Sequence, residues 1–102
     1  MRWLGWAALA VVGVAVLLRV LAALLLPELA VSSWWRSPAK NAAVGGSAAS
    51  QHLIGWALDL APGGPAALAR VRNALNWWPL LGAVDEGDHV HVQVIRPPRS
   101  IS

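Results

Sequence analysis

The sequence predicts an α+β fold, a small antiparallel sheet with flanking helices, preceded by one N-terminal transmembrane helix. Three observations support this prediction. A long apolar segment begins at Trp3 and ends at Leu26. Two later segments alternate apolar and polar residues with the period of a strand, and the segment between them has the three-to-four spacing of an amphipathic helix. We expect a membrane segment over residues 1–27, a folded domain over 28–97 and a tail over 98–102.

The apolar segment is long enough to cross a bilayer, which takes roughly 20 residues. Its only charged residue after Trp3 is Arg19, and 13% of the whole chain is charged against about 25% in typical soluble domains. A cleaved signal peptide has a shorter apolar core of ~7–15 residues, and a soluble core helix has a polar face. A membrane anchor therefore fits best, with an uncleaved signal-like helix as the alternative.

The charges flanking this segment leave its orientation open. Arg2 and the amino terminus precede the segment, whereas Arg36 and Lys40 follow it. We expect a single-pass protein with its amino end inside and its folded domain on the periplasmic or extracellular side.

The folded domain begins with a loop-dominated stretch. Residues 32–50 are rich in Ser, Ala, Gly and Pro, and we expect a short helical turn after Pro38 and a tight turn at Gly45 and Gly46. "GWALDL" (55–60) then alternates like a strand, with Leu58 and Leu60 on one face.

The rest of the domain shows clearer periodicity. Pro65 is well placed to begin a helix, and apolar residues repeat at helical spacing over 65–78 until Pro79. "LLGAV" (80–84) predicts a strand, "DEGD" (85–88) a hairpin turn and "HVHVQVI" (89–95) another strand.

The size and charge of the domain limit what it can do. About 75 residues form a marginal core, and the chain has no cysteine, so a bound metal is the available source of added stability. The net charge of +3 comes from scattered arginines. Without a dense basic patch, nucleic-acid binding is not expected, and the charge better suits anionic cell-wall polymers or lipid headgroups.

Titratable residues cluster at the two strand-like segments. His52 and Asp59 flank "LIGWAL", and "DEGDHVH" adds further acids and histidines over 85–91. If the strands are neighbours, His52, Asp59 and a histidine of "HVH" converge. Two nitrogens and one carboxylate oxygen, with a fourth position open, form the ligand set of a catalytic zinc site. The alternative is a partly buried polar pair, with the later histidines on a solvent-facing strand.

The motif "SQHLIGWALD" (50–59), with "DHVHVQ" (88–93) downstream, resembles the signature of the D-alanyl-D-alanine carboxypeptidase family of zinc peptidases. This family includes vancomycin-resistance D,D-dipeptidases and phage endolysins that cut L-alanyl-D-glutamate bonds. "WRSPAKNAAVGGSAASQH" (35–52) is similar to the family's usual approach to the motif, with Trp35 in place of a tyrosine. The resemblance covers residues 33–95. This sequence shows no counterpart of the helices that precede the motif in longer members, and we expect the membrane segment to take their place.

The resemblance implies zinc ligation by His52, Asp59 and His91. It implies that Asp88, three residues before His91, is the catalytic acid and base, which takes a proton from the attacking water and protonates the leaving amine. A second acid-x-x-His frame pairs Glu86 with His89.

The resemblance also implies supporting roles. Arg36 corresponds to the family arginine that binds substrate, and Ser50 to the serine beside the site. His89 and Glu86 are expected to support the ligands or face the substrate.

Two functional classes follow. The first is a membrane-anchored zinc peptidase that hydrolyses peptidoglycan stem peptides, as a phage lysis enzyme or a bacterial cell-wall carboxypeptidase. The second is a zinc-stabilised module that binds cell-wall peptide without cutting it, against which the acid at position 88 argues. A lysis-accessory membrane protein with incidental histidines would leave the ten-residue motif unexplained. The bond cleaved stays open between D,D-carboxypeptidase and endopeptidase action.

Overall fold

The computed structural model describes residues 2–45 and 50–96. A long helix is followed by alternating short strands and helices. These elements are α1 (Arg2–Leu25), β1 (Ala30–Ser33), α2 (Pro38–Ala43), a 3-10 turn (Gln51–Ile54), β2 (Ala57–Ala61), α3 (Pro65–Leu75), β3 (Gly82–Asp85) and β4 (Val90–Gln93). The predicted tail and Gly46 of the predicted tight turn lie outside these residues, whereas Gly45 has the positive φ of +75° that such a turn needs.

Within the described residues, β1, β2, β4 and β3 form one antiparallel sheet in that order. The α+β prediction and its antiparallel sheet are confirmed, and β2, β3 and β4 overlap the three predicted strands. The predicted helix over 65–78 is α3, which ends three residues early at Leu75. The short helical turn expected after Pro38 is α2, where Ser37 Oγ accepts a hydrogen bond from the backbone N–H of Lys40.

The sequence did not predict β1 or the 3-10 turn. β1 has four residues, and its pairing with β2 shifts register between Val31 and Ser33. A strand this short and irregular shows no sustained alternation, so its position depends on the neighbouring strand that it pairs with.

The two faces of the sheet differ in chemistry. On the apolar face, Leu58 pairs with Val92 and Leu60 with Val90, and all four are buried. Side chains from two helices cover them: Leu18, Ala22 and Leu26 from α1 and its end, and Ala67, Val71 and Leu75 from α3. On the polar face, Asp59 pairs with His91 and Ala57 with Gln93. This alternation is what a strand with a period of two produces when only one face is apolar.

Helix α1 is part of this core. Its residues Gly5–Leu25 are long and apolar enough to cross a membrane or to serve as a signal sequence. The same helix also packs on the sheet, and the indole N–H of Trp56 donates to the carbonyl of Val11 at 2.9 Å. The structure thus adds tertiary contacts to a segment that the sequence placed in a membrane; its crossing of a bilayer stays a prediction.

Gly55, which ends the 3-10 turn, lies close to α1 and to Trp35. It has φ +73°, and a Cβ atom there would lie 2.5 Å from Trp35 Cε3 and 2.9 Å from Ala15 Cβ. Only glycine tolerates both the conformation and the contact.

Candidate metal centre

Two elements bring the three predicted ligands together. The antiparallel register of β2 and β4 places Asp59 directly opposite His91. His52 comes from the 3-10 turn that precedes β2, and Ser50 caps this turn because its Oγ accepts a hydrogen bond from the His52 N–H at 3.2 Å. The motif serine therefore shapes the turn that presents the first histidine.

The ligand atoms of His52, Asp59 and His91 lie within 4.8 Å of one another, and all three residues are buried. Asp59 Oδ1 is 3.2 Å from His52 Nε2 and 3.1 Å from His91 Nδ1. Two imidazole nitrogens thus meet at one carboxylate oxygen, as the sequence predicted.

The outer nitrogen of each imidazole is held by a carbonyl oxygen. His52 Nδ1 donates to the backbone carbonyl of Trp34 at 2.6 Å. His91 Nε2 donates to Gln93 Oε1 at 2.7 Å, and the Gln93 amide nitrogen donates to the carbonyl of Ile95. Because a carbonyl only accepts, each neutral ring carries its proton on the outer nitrogen. The inner nitrogens, His52 Nε2 and His91 Nδ1, therefore present lone pairs to Asp59.

Three lone pairs that meet in a buried site require a cation between them. The donor set suits a metal ion that accepts nitrogen and oxygen ligands. In the metal-free chain, hydrogen bonds of the two imidazoles with Asp59 Oδ1 take that place. Burial raises the pKa of Asp59, but hydrogen bonds from His52 and His91 outweigh it and hold that pKa far below its ordinary value. Burial lowers the pKa of His91, yet its hydrogen bond to Asp59 raises the net value.

Arg36 holds the other oxygen of the ligand carboxylate. Its guanidinium contacts Asp59 Oδ2 at 2.9 Å, Ser33 Oγ at 3.1 Å and Asn41 Oδ1 at 3.3 Å. Asp59 is thereby oriented with Oδ1 toward the histidines. The guanidinium also borders the cavity described next, and its expected binding of substrate stays a prediction.

A cavity of about 280 Å³ opens above the three ligands. Its lining also includes Ser50, Glu86 and His89. Glu86 Oε1 lies 3.9 Å from His91 Nδ1, and His89 Nε2 lies 3.7 Å from Asp59 Oδ1. The four residues expected to support the site all line this cavity, and their roles stay predictions: Arg36, Ser50, Glu86 and His89.

Asp88, the expected acid and base, does not line the cavity, although its neighbour His89 does. Its side chain is 89% exposed, and its Oδ1 is 2.5 Å from His89 Nδ1. The turn between β3 and β4 that carries it contains Gly87 at φ +98°. Asp88 is thus outside the strand, as the position of an acid three residues before His91 requires, and its catalytic role stays a prediction.

Sequence reasoning missed the groups that set the imidazole protons. The Trp34 carbonyl is a backbone atom, which no side-chain motif reveals. The contact with Gln93 could have been predicted from the sequence. Residues two apart on a strand are neighbours on the same face, and Gln93 lies two residues after His91.

Comparison with known protein families supports the centre. The sequence model of the Peptidase M15 family matches residues 7–93, which includes most of α1, the whole sheet and all three ligands. Comparison with curated proteins and with solved structures gives no significant match. Peptidases of the M15 family are zinc enzymes and include D-Ala-D-Ala carboxypeptidases, and a His-Asp-His group that could bind a metal is present here. The chain belongs to the Peptidase M15 family of zinc peptidases.

Proposed function

We propose that this protein hydrolyses peptide bonds in the stem peptides of peptidoglycan, with zinc held by His52, Asp59 and His91, at the outer side of a membrane. The convergence of three buried ligand atoms beneath an open cavity is the observation that carries the proposal. Three protein ligands that open onto a cavity are typical of catalytic zinc sites, whereas structural sites have four protein ligands.

Bound zinc would supply a Lewis acid that lowers the pKa of a water molecule and polarises the scissile carbonyl. The chain supplies the orientation. The Trp34 carbonyl and Gln93 keep the histidine lone pairs inward, and Arg36 fixes Asp59. None of these groups has to reorganise when a substrate binds, as electrostatic preorganisation requires.

We assign the acid and base role to Asp88. His89 is its hydrogen-bonding partner among the described residues, and its exposed side chain can rotate toward a substrate over the cavity. Glu86 is the competing carboxylate, since it already lines the cavity. Replacing each acid separately decides between them.

Family membership and the charges around the cavity support this substrate class. Stem peptides carry free carboxylates, and the cavity is lined by Arg36, whose guanidinium matches the geometry of a carboxylate. Both D,D-carboxypeptidase and L-alanyl-D-glutamate endopeptidase action fit this lining. Peptidoglycan is a substrate of bacterial enzymes and phage endolysins alike, so either source is compatible.

The test uses the full chain in detergent micelles, because α1 belongs to the core. Bound metal is measured by elemental analysis, and the products from purified peptidoglycan are identified by mass spectrometry. Released D-alanine indicates carboxypeptidase action, and a new amino terminus at D-glutamate indicates endopeptidase action. Asp88→Ala is expected to retain zinc and lose hydrolysis by at least about a hundredfold, whereas Glu86→Gln and the control Asp85→Asn retain most activity.

Other outcomes contradict the proposal in distinct ways. Stoichiometric zinc without cleavage of either bond indicates a module that binds cell-wall peptide. A wild-type chain that binds no zinc removes the basis for both functions. Activity that survives Asp88→Ala but not Glu86→Gln moves the base to Glu86.

A further inference from the structure

Helix α1 has two opposite apolar faces, and only one of them is used by the core. The inner face is buried at Ala15, Leu18 and Ala22, with Leu26 following the helix. An outward stripe is exposed and consists of Trp6, Leu9, Val12, Val16, Val20 and Leu24. At roughly 100° per residue, this stripe lies on the side of the helix opposite the inner face.

The docked part of α1 is too long for the remainder to cross a bilayer. Contacts with the domain extend from Val11, which accepts the Trp56 hydrogen bond, to Leu26. The helix before Val11 begins at Arg2 and measures only about 14 Å at 1.5 Å per residue. The hydrocarbon core is about 30 Å thick. A helix that crossed the membrane would have to leave the sheet, and Leu58 and Leu60 would lose the part of their cover that α1 provides.

The surroundings of the outward stripe match a membrane surface. Among the described residues of α1 from Gly5 onward, Arg19 is the one charged residue, and by its angle it lies on the flank between the two faces. Arg70 lies at the end of the helix, where its guanidinium donates to the Leu25 carbonyl at 2.7 Å and pairs with Glu28 Oε1 at 3.4 Å. Leu17, beside the stripe, borders a groove shared with the half-exposed Trp77. Arginine and tryptophan at the edge of an apolar surface are typical of the headgroup region.

We propose that α1 lies in the plane of a membrane, with its outward stripe in the lipid and its inner face still on the sheet. The partner is a bilayer with anionic headgroups, to which the net charge of +3 is complementary. The proposal rests on the membrane location given above but not on the hydrolysis. Because α1 covers the apolar face of the sheet, the metal centre on the other face is directed away from the lipid.

Binding to vesicles tests the surface. The zinc-loaded chain is mixed with vesicles of phosphatidylcholine and phosphatidylglycerol without substrate, so an inactive protein that binds leaves this proposal standing. Leu9→Glu and Leu24→Glu, at positions 65% and 70% exposed, are expected to weaken partitioning by at least about tenfold each. The control Val44→Glu replaces a residue that is 52% exposed and borders the cavity, and it is expected to bind as wild type does. Equal binding by all variants, or a lipid-free dimer that does not bind vesicles, overturns the proposal.

Cysteine labelling tests the orientation, because the chain contains no cysteine of its own. Single variants Leu9→Cys, Val16→Cys and Leu24→Cys sample the stripe from one end to the other, and Ala22→Cys samples the inner face. If the helix lies in the plane, spin labels at the three stripe positions have the same shallow depth in accessibility measurements. The sheet then also shields Ala22→Cys from a lipid-soluble maleimide. A crossing helix instead places Val16→Cys deepest and leaves Ala22→Cys as reactive as Leu24→Cys, which would refute the proposal.

Discussion

The two faces of β2 and β4 share the same backbone and the same strand pairing, but different kinds of interaction stabilise them. On one face, Leu58 and Leu60 gain stability from burial against the helices, which is non-directional and tolerates small adjustments. On the other face, Asp59 and His91 are equally buried, but they depend on directional contacts, and each polar atom needs its own partner. The comparison teaches that one strand supplies both the stability of this small domain and its chemistry, through alternate residues.

The largest effect is expected from Asp59→Asn, which changes the polar face alone. The amide keeps the size of the carboxylate but loses the charge that holds a metal and pairs with Arg36. We expect zinc binding to be lost and hydrolysis to fall by at least about a thousandfold, since a catalytic zinc contributes several kcal/mol to the transition state. Elemental analysis measures the bound zinc, and product release measures hydrolysis. Asp85→Asn, which removes an acceptor of the Gly64 and Gly87 N–H groups, should keep its zinc; if it does not, the effect is not specific to the metal centre.

Leu60→Ala is the matching change on the apolar face, one residue from Asp59. Removing a fully buried leucine side chain costs about 2–5 kcal/mol of unfolding free energy. The folded fraction should bind zinc with wild-type affinity, since Leu60 points away from the site. Denaturation measures the loss of unfolding free energy. It is carried out in saturating zinc, which keeps enough of the variant folded for the measurement. The exposed Leu80→Ala is the control, and a selective loss of zinc affinity in Leu60→Ala would show that the faces are not independent.

Gln93→Leu sharpens the comparison by removing a single partner on the polar face. His91 Nε2 then lacks its acceptor, and the ring is free to place its proton on the inner nitrogen. We expect zinc affinity to fall by about 10–100-fold, as measured by competition with a chelating dye. Gln93→Glu keeps an acceptor oxygen and should restore most of the affinity. Gln51→Leu loses contacts to Ile95 but not to a ligand, so an equal loss there would contradict the explanation.

The smallest effect is expected from pH. A rise in pH above the ordinary pKa of His91 should lower the stability of the metal-free chain but raise its affinity for zinc. In the metal-free chain, the lowered pKa of Asp59 contributes stability above its ordinary value of 3.8, which is lost on acidification. The raised pKa of His91 contributes stability below its ordinary value of 6.5, which is lost as pH rises through the raised value. Metal-free stability should therefore be greatest between these two values, while zinc affinity rises with pH as His91 loses its inner proton. Urea midpoints and zinc titrations across this range check both trends.

The polar face could be predicted from the sequence because its residues carry a specific pattern. Alternation in "GWALDL" and "HVHVQVI" assigned Asp59 and His91 to the same kind of strand position, and the ten-residue motif identified His52. The register that places Asp59 opposite His91 was expected only on the condition that the strands are neighbours. Backbone acceptors such as the Trp34 carbonyl could not be predicted, since any residue type supplies them.

The position of α1 could not be predicted, for a different reason. Hydropathy measures how apolar a segment is and says nothing about what covers it. Both faces of α1 are apolar, so burial against Leu58 and Leu60 and burial in lipid satisfy the same composition. The contacts that dock α1 on the domain, such as the hydrogen bond from Trp56 to Val11, join residues that are distant in the sequence.

The ion pair between Arg36 and Asp59 has a consequence for metal selectivity. With Oδ2 held by the guanidinium at 2.9 Å, Asp59 can offer a metal only one oxygen. Calcium prefers six to eight oxygen ligands and often takes a carboxylate through both of its oxygens, and magnesium prefers six oxygens in an octahedron. A single oxygen and two imidazoles provide neither arrangement. We propose that the arginine thereby limits the number of oxygen ligands, which disfavours calcium and magnesium at this site and suits zinc.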